Sequence, residues 1–363
     1  MTIFNFAELI QRGSLIVNDG YRTKADELGT PGIPILRVAE VGDGTVEPVY
    51  GDHIREEYRH AIGAKLSRPG DVLLTTKGTV GRRAIVGAGL PELVYSPQLC
   101  FFRVTDKSVD ARWLYYWLGG ERFWAQAGGV STQTDMAPYI SLRDLRAIKI
   151  DLLPIEEQLS IATTLGTLDA KIASNSRAMS LIEQFLHALF AWNFDISPVH
   201  DGVPLSDLVT VNGKRILPKG SLSTYVGMAS LPDHSASVFE WSSKPFGSGQ
   251  KFVNGDVLMA RITPCLENGK TAIVDMLRPD EVGWGSTEYV VLSPRDHTST
   301  AWIYCLVRTE SVRSFAIRSM SGTSGRQRFQ ASDLSKYLIA PPTEESLVDF
   351  NRVANPDLSS RPC

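Results

Sequence analysis

Gly70-Asp71-Val72-Leu73-Leu74 and Gly255-Asp256-Val257-Leu258-Met259 open the same element twice, roughly 185 residues apart in one chain. The echo runs outward in one order. Ala84-Ile85-Val86 is answered by Ala272-Ile273-Val274, and Trp113-Leu114-Tyr115-Tyr116 by Trp302-Ile303-Tyr304-Cys305. Asp144-Leu145 is answered by Asp333-Leu334, and Pro154-Ile155-Glu156-Glu157 by Pro342-Thr343-Glu344-Glu345. A period this long lies far outside the solenoid range and predicts two copies of one folded unit. Val72–Thr76 and Cys100–Val104 have strand composition between Gly and Pro signals, and Val257–Ala260 and Tyr289–Leu292 repeat them. Trp113–Leu118 predicts a short helix that the Gly119-Gly120 pair interrupts or ends. Strands and helices in non-alternating order give the fold class as α+β.

Between the copies, Ile155 to Trp192 contains no proline and one glycine, Gly166. Apolar residues recur at Ile155, Leu159, Ala162, Leu165, Leu168, Ile172, Met179, Ile182, Leu186 and Leu189, in steps of three and four that mark a helical stripe close to heptad spacing. Pro154 suits a helix start, and Glu156 and Glu157 suit the positive end of its dipole. Asn175 falls on the stripe, either as a buried register-setting residue or as an ordinary polar break. A helix this long spans roughly 55 Å, and its stripe needs cover. A second helix from about Thr343 to the Asn355-Pro356 stop is only about three turns long. Paired antiparallel, it would cover only Ile182 to Leu189, leaving Ile155 to Ile172 for a partner from another chain.

The bulk numbers bound the function. The chain has 363 residues, 43% hydrophobic and 21% charged, which is enough for two ordinary globular cores. No apolar run of about 18 residues suggests a membrane helix, and the first residues lack the pattern of a secretory signal. Cys100, Cys265, Cys305 and Cys363 are isolated, which disfavours zinc sites and disulfides and fits a cytoplasmic location. The net charge of −3 argues mildly against nucleic acid, but two local clusters are basic. Residues 65–83 hold Lys65, Arg68, Lys77, Arg82 and Arg83 against Asp71. Residues 308–336 hold Arg308, Arg313, Arg318, Arg326, Arg328 and Lys336 against Glu310 and Asp333.

In this order the fragments resemble the specificity subunit of type I restriction–modification systems, over nearly the whole chain. The matching stretches are Pro69–Leu74, Gly78-Thr79-Val80-Gly81, Ser96-Pro97-Gln98-Leu99 and Gly129-Val130-Ser131-Thr132-Gln133. Leu153–Gln158 follows with Ile161-Ala162 and Leu168-Asp169, and Ser321–Phe329 repeats the Gly/Ser–Gln element. The resemblance implies two target recognition domains, 1–153 and 196–341, each reading half of a split site in double-stranded DNA. A spacer helix at 154–195 would set the distance between halves and dock DNA adenine methyltransferase subunits, two being expected, with restriction subunits joining through them. Residues 342–363 would begin a second spacer helix. That helix is short for the family, leaving open an intact subunit, a shortened chain, or a variant that borrows its missing helix.

Such a domain needs phosphate contacts for position and base-edge contacts for sequence, with Arg suited to guanine and Gln to adenine. The candidates are Lys77, Thr79, Arg82, Arg83, Ser131, Thr132 and Gln133 in the first copy. In the second they are Arg261, Lys270, Ser324, Arg326, Gln327 and Arg328. Candidate partner contacts are Ile155, Leu159, Leu165, Leu168, Ile172, Met179 and Ile182. Neighbouring glycines would allow close backbone approach.

Catalytic motifs are not found. Asn268-Gly269-Lys270-Thr271 has Pro264 where a phosphate-binding loop needs glycine. There is no Asn/Asp-Pro-Pro-Tyr/Phe segment and no glycine-rich cofactor loop, so S-adenosylmethionine is expected on the methyltransferase and no cofactor on this chain. Six scattered histidines form no metal motif, and His53, His60 and His187 read as packing or surface residues. Two other readings compete with a non-catalytic recognition subunit. A nuclease would cleave DNA by itself with metal, and a helix-mediated scaffold would survive loss of Arg326, Gln327 and Arg328.

Overall fold

The structure is a computed structural model that describes residues 2–131, 139–196, 199–295, 298–323 and 326–354, side chains of 129–131 excepted. It divides into two compact units, Met1–Ala173 and Ser174–Cys363.

In the first unit, strands Leu15–Asp19, Leu99–Val104, Val72–Thr75 and Arg83–Ile85 form, in that order, an antiparallel sheet. Val72–Thr75 is buried at every position, because both sheet faces are covered. Side chains alternate across a strand. Val72 and Leu74 therefore enter a core with Phe6, Leu9, Phe102, Trp113 and Leu114, while Leu73 enters one with Leu36, Tyr95 and Phe101. The second core is closed by an outer sheet of His53–Arg55, Gly32–Leu36 and Val94–Tyr95, whose last two strands run parallel. Helix Ala111–Trp117 starts at Asp110, whose carboxylate accepts from Trp113 N at 2.8 Å. The Gly119-Gly120 pair ends it, and helix Glu121–Ser131 follows. Gly119 has a second reason to be glycine, since a Cβ there would lie 1.8 Å from the Arg83 guanidinium.

The second unit repeats this plan, strand for strand in the inner sheet and with one more strand in the outer one. Its inner sheet orders Val209–Val211, Tyr289–Pro294, Val257–Ala260 and Thr271–Ile273. Its outer sheet orders Ser242–Pro245, Leu222–Val226, Gly283–Gly285 and Gln250–Phe252, with the middle pair again parallel. Each unit also closes with a short antiparallel pair, Thr2–Asn5 with Lys149–Leu152 and Val203–Pro204 with Leu338–Ile339. The sequence repeat is a repeat of topology.

The repeated aspartate explains part of it. Asp71 caps its turn by accepting from Arg68 N, and its buried carboxylate takes Arg103 Nε and Nη2 at 2.7 and 2.6 Å and the Tyr95 hydroxyl at 2.6 Å. Asp256 likewise accepts from Val253 N, but its partners are the Ser293 hydroxyl at 2.5 Å and Arg215 Nη2 at 3.1 Å. Ser293 stands at the strand position of Arg103, and an arginine from another segment supplies the missing cation.

Helix Ile155–Asn193 runs 39 residues, or roughly 58 Å. Its first turn is anchored by the fully buried Gln158, which donates to Ser108 O and Leu153 O and accepts from Asp110 N. Ala162 joins the first unit's core, and the lone Gly166 lies where a Cβ would meet Arg112 at 2.9 Å. The Tyr116 hydroxyl donates to Asp169 at 2.5 Å, and burial with this bond pushes its pKa up to about 12. At the far end Glu183 accepts from the Tyr304 hydroxyl, and Phe190 is fully within the second unit's core. The short helix, Glu344–Ala354, packs Leu347 and Phe350 there. Its seat overlaps only the far end of the stretch that the periodicity predicts, where Leu186 and Leu189 pack against the same core. Phe350 meets Phe190 and Phe194 at ring distances of 5.7 and 5.6 Å, while Ile182 remains 60% exposed. The two phenylalanines offer more apolar area than Ile182, and that decides the register.

Candidate nucleic-acid interface

In the first unit the candidate residues line the turn joining Val72–Thr75 to Arg83–Ile85. Thr75 is buried and pins the turn: its hydroxyl donates to Thr79 O and accepts from Arg82 N at 2.9 Å, while its carbonyl accepts from Gly81 N at 3.0 Å. Lys77, Gly78 and Thr79 are thereby held exposed. Gly81 has φ +104° and lies where a Cβ would touch the Trp124 ring at 3.0 Å, so both torsion and space require glycine. Tyr139 pairs with Lys77, whose ammonium sits 5.6 Å from the Tyr139 ring centre, and Ile140 N donates to Thr76 O at 3.0 Å. Thr132 and Gln133, and the side chain of Ser131, lie outside the described residues, but the segment that follows them is fastened to this turn.

The second unit makes the same juxtaposition. Thr263 N donates to Gln327 O at 3.0 Å and Phe329 N to Arg261 O at 3.1 Å, so the stretch after the Gly/Ser element runs beside the strand exit at Arg261. Ser324 lies outside the described residues. Arg326 is exposed and Gln327 half-buried. Arg261 and Arg328 converge on one carboxylate, Glu288, at 3.2 and 2.8 Å, and Glu288 holds the Arg328 guanidinium more firmly protonated.

Several candidates are committed elsewhere in the fold. Arg83 donates to Tyr115 O at 2.9 Å, packs over the Tyr115 ring and pairs with Asp43, which leaves its side chain only 17% exposed. Lys270 turns to Leu231 O and Asp233. Arg82 reaches Val41 O at 3.4 Å. Arg308 of the second basic cluster is committed in the same way, since its guanidinium serves Asp233 O and Gly269 O and covers the Tyr304 ring. The group that sequence reading missed is Glu288. It occupies the place of Gln98 in the Ser96-Pro97-Gln98-Leu99 stretch, as the paired backbone bonds Arg261 N to Glu288 O and Thr76 N to Gln98 O show. Aligning the two copies at that stretch was the signal that could have found it.

On the long helix, Leu159, Leu165, Leu168, Ile172, Met179 and Ile182 are all exposed, by 36 to 63%, and Ile155 is half-buried. Leu181 and Phe185, not among the candidates, are 58 and 56% exposed. Among the described residues no cluster of His, Cys, Asp or Glu could hold a metal ion, and no helix is long and apolar enough to cross a membrane.

No protein-family profile matches the chain. Proteins of Escherichia coli are among those that match in sequence. The type I restriction enzyme EcoEI specificity subunit is 27% identical over 159 residues, which are 42% of this chain and 27% of that protein. The EcoBI specificity subunit is 25% identical over 172 residues, 47% of this chain and 34% of that protein. The matched part of the chain therefore spans about a third or less of these curated relatives. The solved S subunit of the type I restriction–modification system from M. genitalium superposes with a TM-score of 0.55 at 14% identity, covering 97% of this chain and 88% of that one. Its likeness is one of fold. In sequence this chain is similar to type I restriction enzyme specificity subunits over less than half its length, and in fold to a solved S subunit.

Proposed function

We propose that this chain is the sequence-specific DNA-recognition subunit of a type I restriction–modification complex, reading a two-part site with one unit per part. The observation that carries this reading is the duplicated juxtaposition. In each unit the strand exit lies beside the Gly/Ser–Gln region, against Tyr139 after the element in the first copy and against Gln327 to Phe329 at its end in the second, on matching backbone pairings with different side chains. One scaffold with Lys77, Thr79 and Tyr139 in one copy and Arg261, Gln327 and Arg328 in the other is what two different half-sites require. The long helix supplies the spacer, and its exposed stripe from Leu159 to Ile182 docks adenine methyltransferase subunits, through which restriction subunits join. The chain is non-catalytic, and S-adenosylmethionine is bound by the methyltransferase.

The test is adenine-methylation sequencing of a whole genome in a host expressing the chain with its methyltransferase, with and without this gene. A split methylated motif should vanish with the gene. Unchanged methylation by an active methyltransferase would place sequence choice elsewhere.

A further inference from the structure

The outer sheet sits in the same place in both units but is finished differently. In the first unit Ile33, Ile35, Ile54 and Val94 face away from the inner sheet into a small core with Ile62, Tyr21, Tyr58 and Leu66. The short helix Arg59–Ile62 and its flanking turns close that face. In the second unit Tyr225 and Trp284 occupy the positions of Ile35 and Val94, as the matching parallel pairs show. Here strand Ser242–Pro245 is exposed at all four positions, and Tyr225 and Phe246 are only half-buried.

This open face is cationic. Lys244 places its ammonium 4.3 Å from the Tyr225 ring centre, and Lys251 places its own 5.0 Å from that of Phe246. Tyr225 and Phe246 in turn pack on Trp284, at 4.5 and 5.5 Å. Lys251 also donates to Arg215 O at 3.1 Å, which brings the backbone next to the exposed Lys214 to this edge. Gly220 N donates to Phe246 O, which brings the exposed Lys219 to the sheet's edge. Glu281, at one end of the sheet, is occupied by Ser223, Thr224 N and Arg278 N. Gathering lysines on one face of a chain with net charge −3 costs self-repulsion that an anionic partner would relieve. Stacking Lys244 and Lys251 on rings fixes their positions in advance, so less freedom is lost when they meet a ligand.

We propose that this face, carrying Lys214, Lys219, Lys244 and Lys251 around Tyr225, Trp284 and Phe246, contacts the phosphate backbone of duplex DNA. The inference rests on the DNA-reading role proposed above and adds to it a sequence-independent surface that the first unit does not have. Backbone contact of this kind releases counterions, so it is read in the salt dependence of binding, about one unit of slope per phosphate-contacting lysine.

The experiment measures binding of the full chain to a short fluorescent DNA duplex of unrelated sequence, by anisotropy over a salt series. The variants are the doubles Lys244→Gln/Lys251→Gln and Lys244→Arg/Lys251→Arg, with Lys107→Gln as an exposed control from the first unit. Circular dichroism melting of each variant reports folding. The Gln double should lower the slope by about two and weaken binding on the order of tenfold at moderate salt, whatever the duplex sequence. The Arg double and Lys107→Gln should match wild type. A folded Gln double with wild-type slope would overturn the surface while leaving the recognition role standing. A wild-type chain that binds no duplex would overturn both. A Gln double that fails to fold passes the question to Lys214→Gln/Lys219→Gln, whose exposed side chains should lower the slope equally; an unchanged slope there overturns the proposal.

Discussion

Asp71 and Asp256 do one job in two settings, and the difference sets what their loss should cost. Asp71 is 1% exposed and Arg103 6%, so Asp71→Ala would strand a guanidinium in the core. Breaking a buried pair from one side costs about 3–5 kcal/mol. Arg215 is 24% exposed and can turn to water, so Asp256→Ala should cost clearly less. Urea titration of the two variants gives the order directly, and equal losses would defeat the argument. His187 offers a second residue-scale test. It packs at 5.8 Å from the Tyr304 ring, and burial, then the nearby Arg308, lower its pKa against the opposing pull of Glu183. As pH falls, the unfolded chain therefore takes the proton before the folded one does. The histidine's contribution is complete above the unfolded value, about 6.5, and is lost as pH drops through that value toward the folded one. His187→Gln should flatten the stability curve between about pH 7 and pH 5 relative to wild type, and a superimposable slope in that window would count against it.

At the scale of elements, the long helix separates packing residues from exposed apolar ones, on which the proposed docking can be tested. Phe350→Ala removes the ring shared with Phe190 and Phe194, and should cost about 3–5 kcal/mol in unfolding of the second unit. Leu168→Glu with Ile172→Glu changes side chains that are 55 and 63% exposed. Their effect on stability should stay within about 0.5 kcal/mol each, while co-purification with the methyltransferase is lost. Undiminished co-purification would move the docking site off this stripe. The helix itself was legible from period and from Pro154, and so was the break at Gly119-Gly120, because spacing and backbone chemistry are local. The seat of the short helix was not. Whether Leu347 and Phe350 meet Ile182 or Phe190 depends on how much apolar area each register buries, which only the folded unit defines. The candidate interface was half legible for the same reason. Lys77 and Thr79 stay exposed because the Thr75 turn holds them there, whereas Arg83 and Lys270 find carbonyl and carboxylate partners that lie far away in sequence.

For the whole molecule, if the chain reads a two-part site as proposed, two units with different side chains at the same positions predict that the two halves of that site can be changed separately. Thr76, Gln98 and Tyr139 in the first unit stand where Arg261, Glu288 and Arg328 stand in the second, on backbone pairings that match. A substitution confined to one set leaves the other scaffold untouched, and distant sites without shared partners act independently. Arg326→Ala with Gln327→Ala should therefore relax base choice in one half of the methylated motif, each lost base contact being worth about 1–3 kcal/mol, and leave the other half and the spacing unaltered. Lys77→Ala with Thr79→Ala should act on the opposite half alone. Methylation sequencing of both strains reads the two halves in one experiment. If either variant blurred both halves together, the units would not be reading separately, and a single composite surface would have to replace the two-part account.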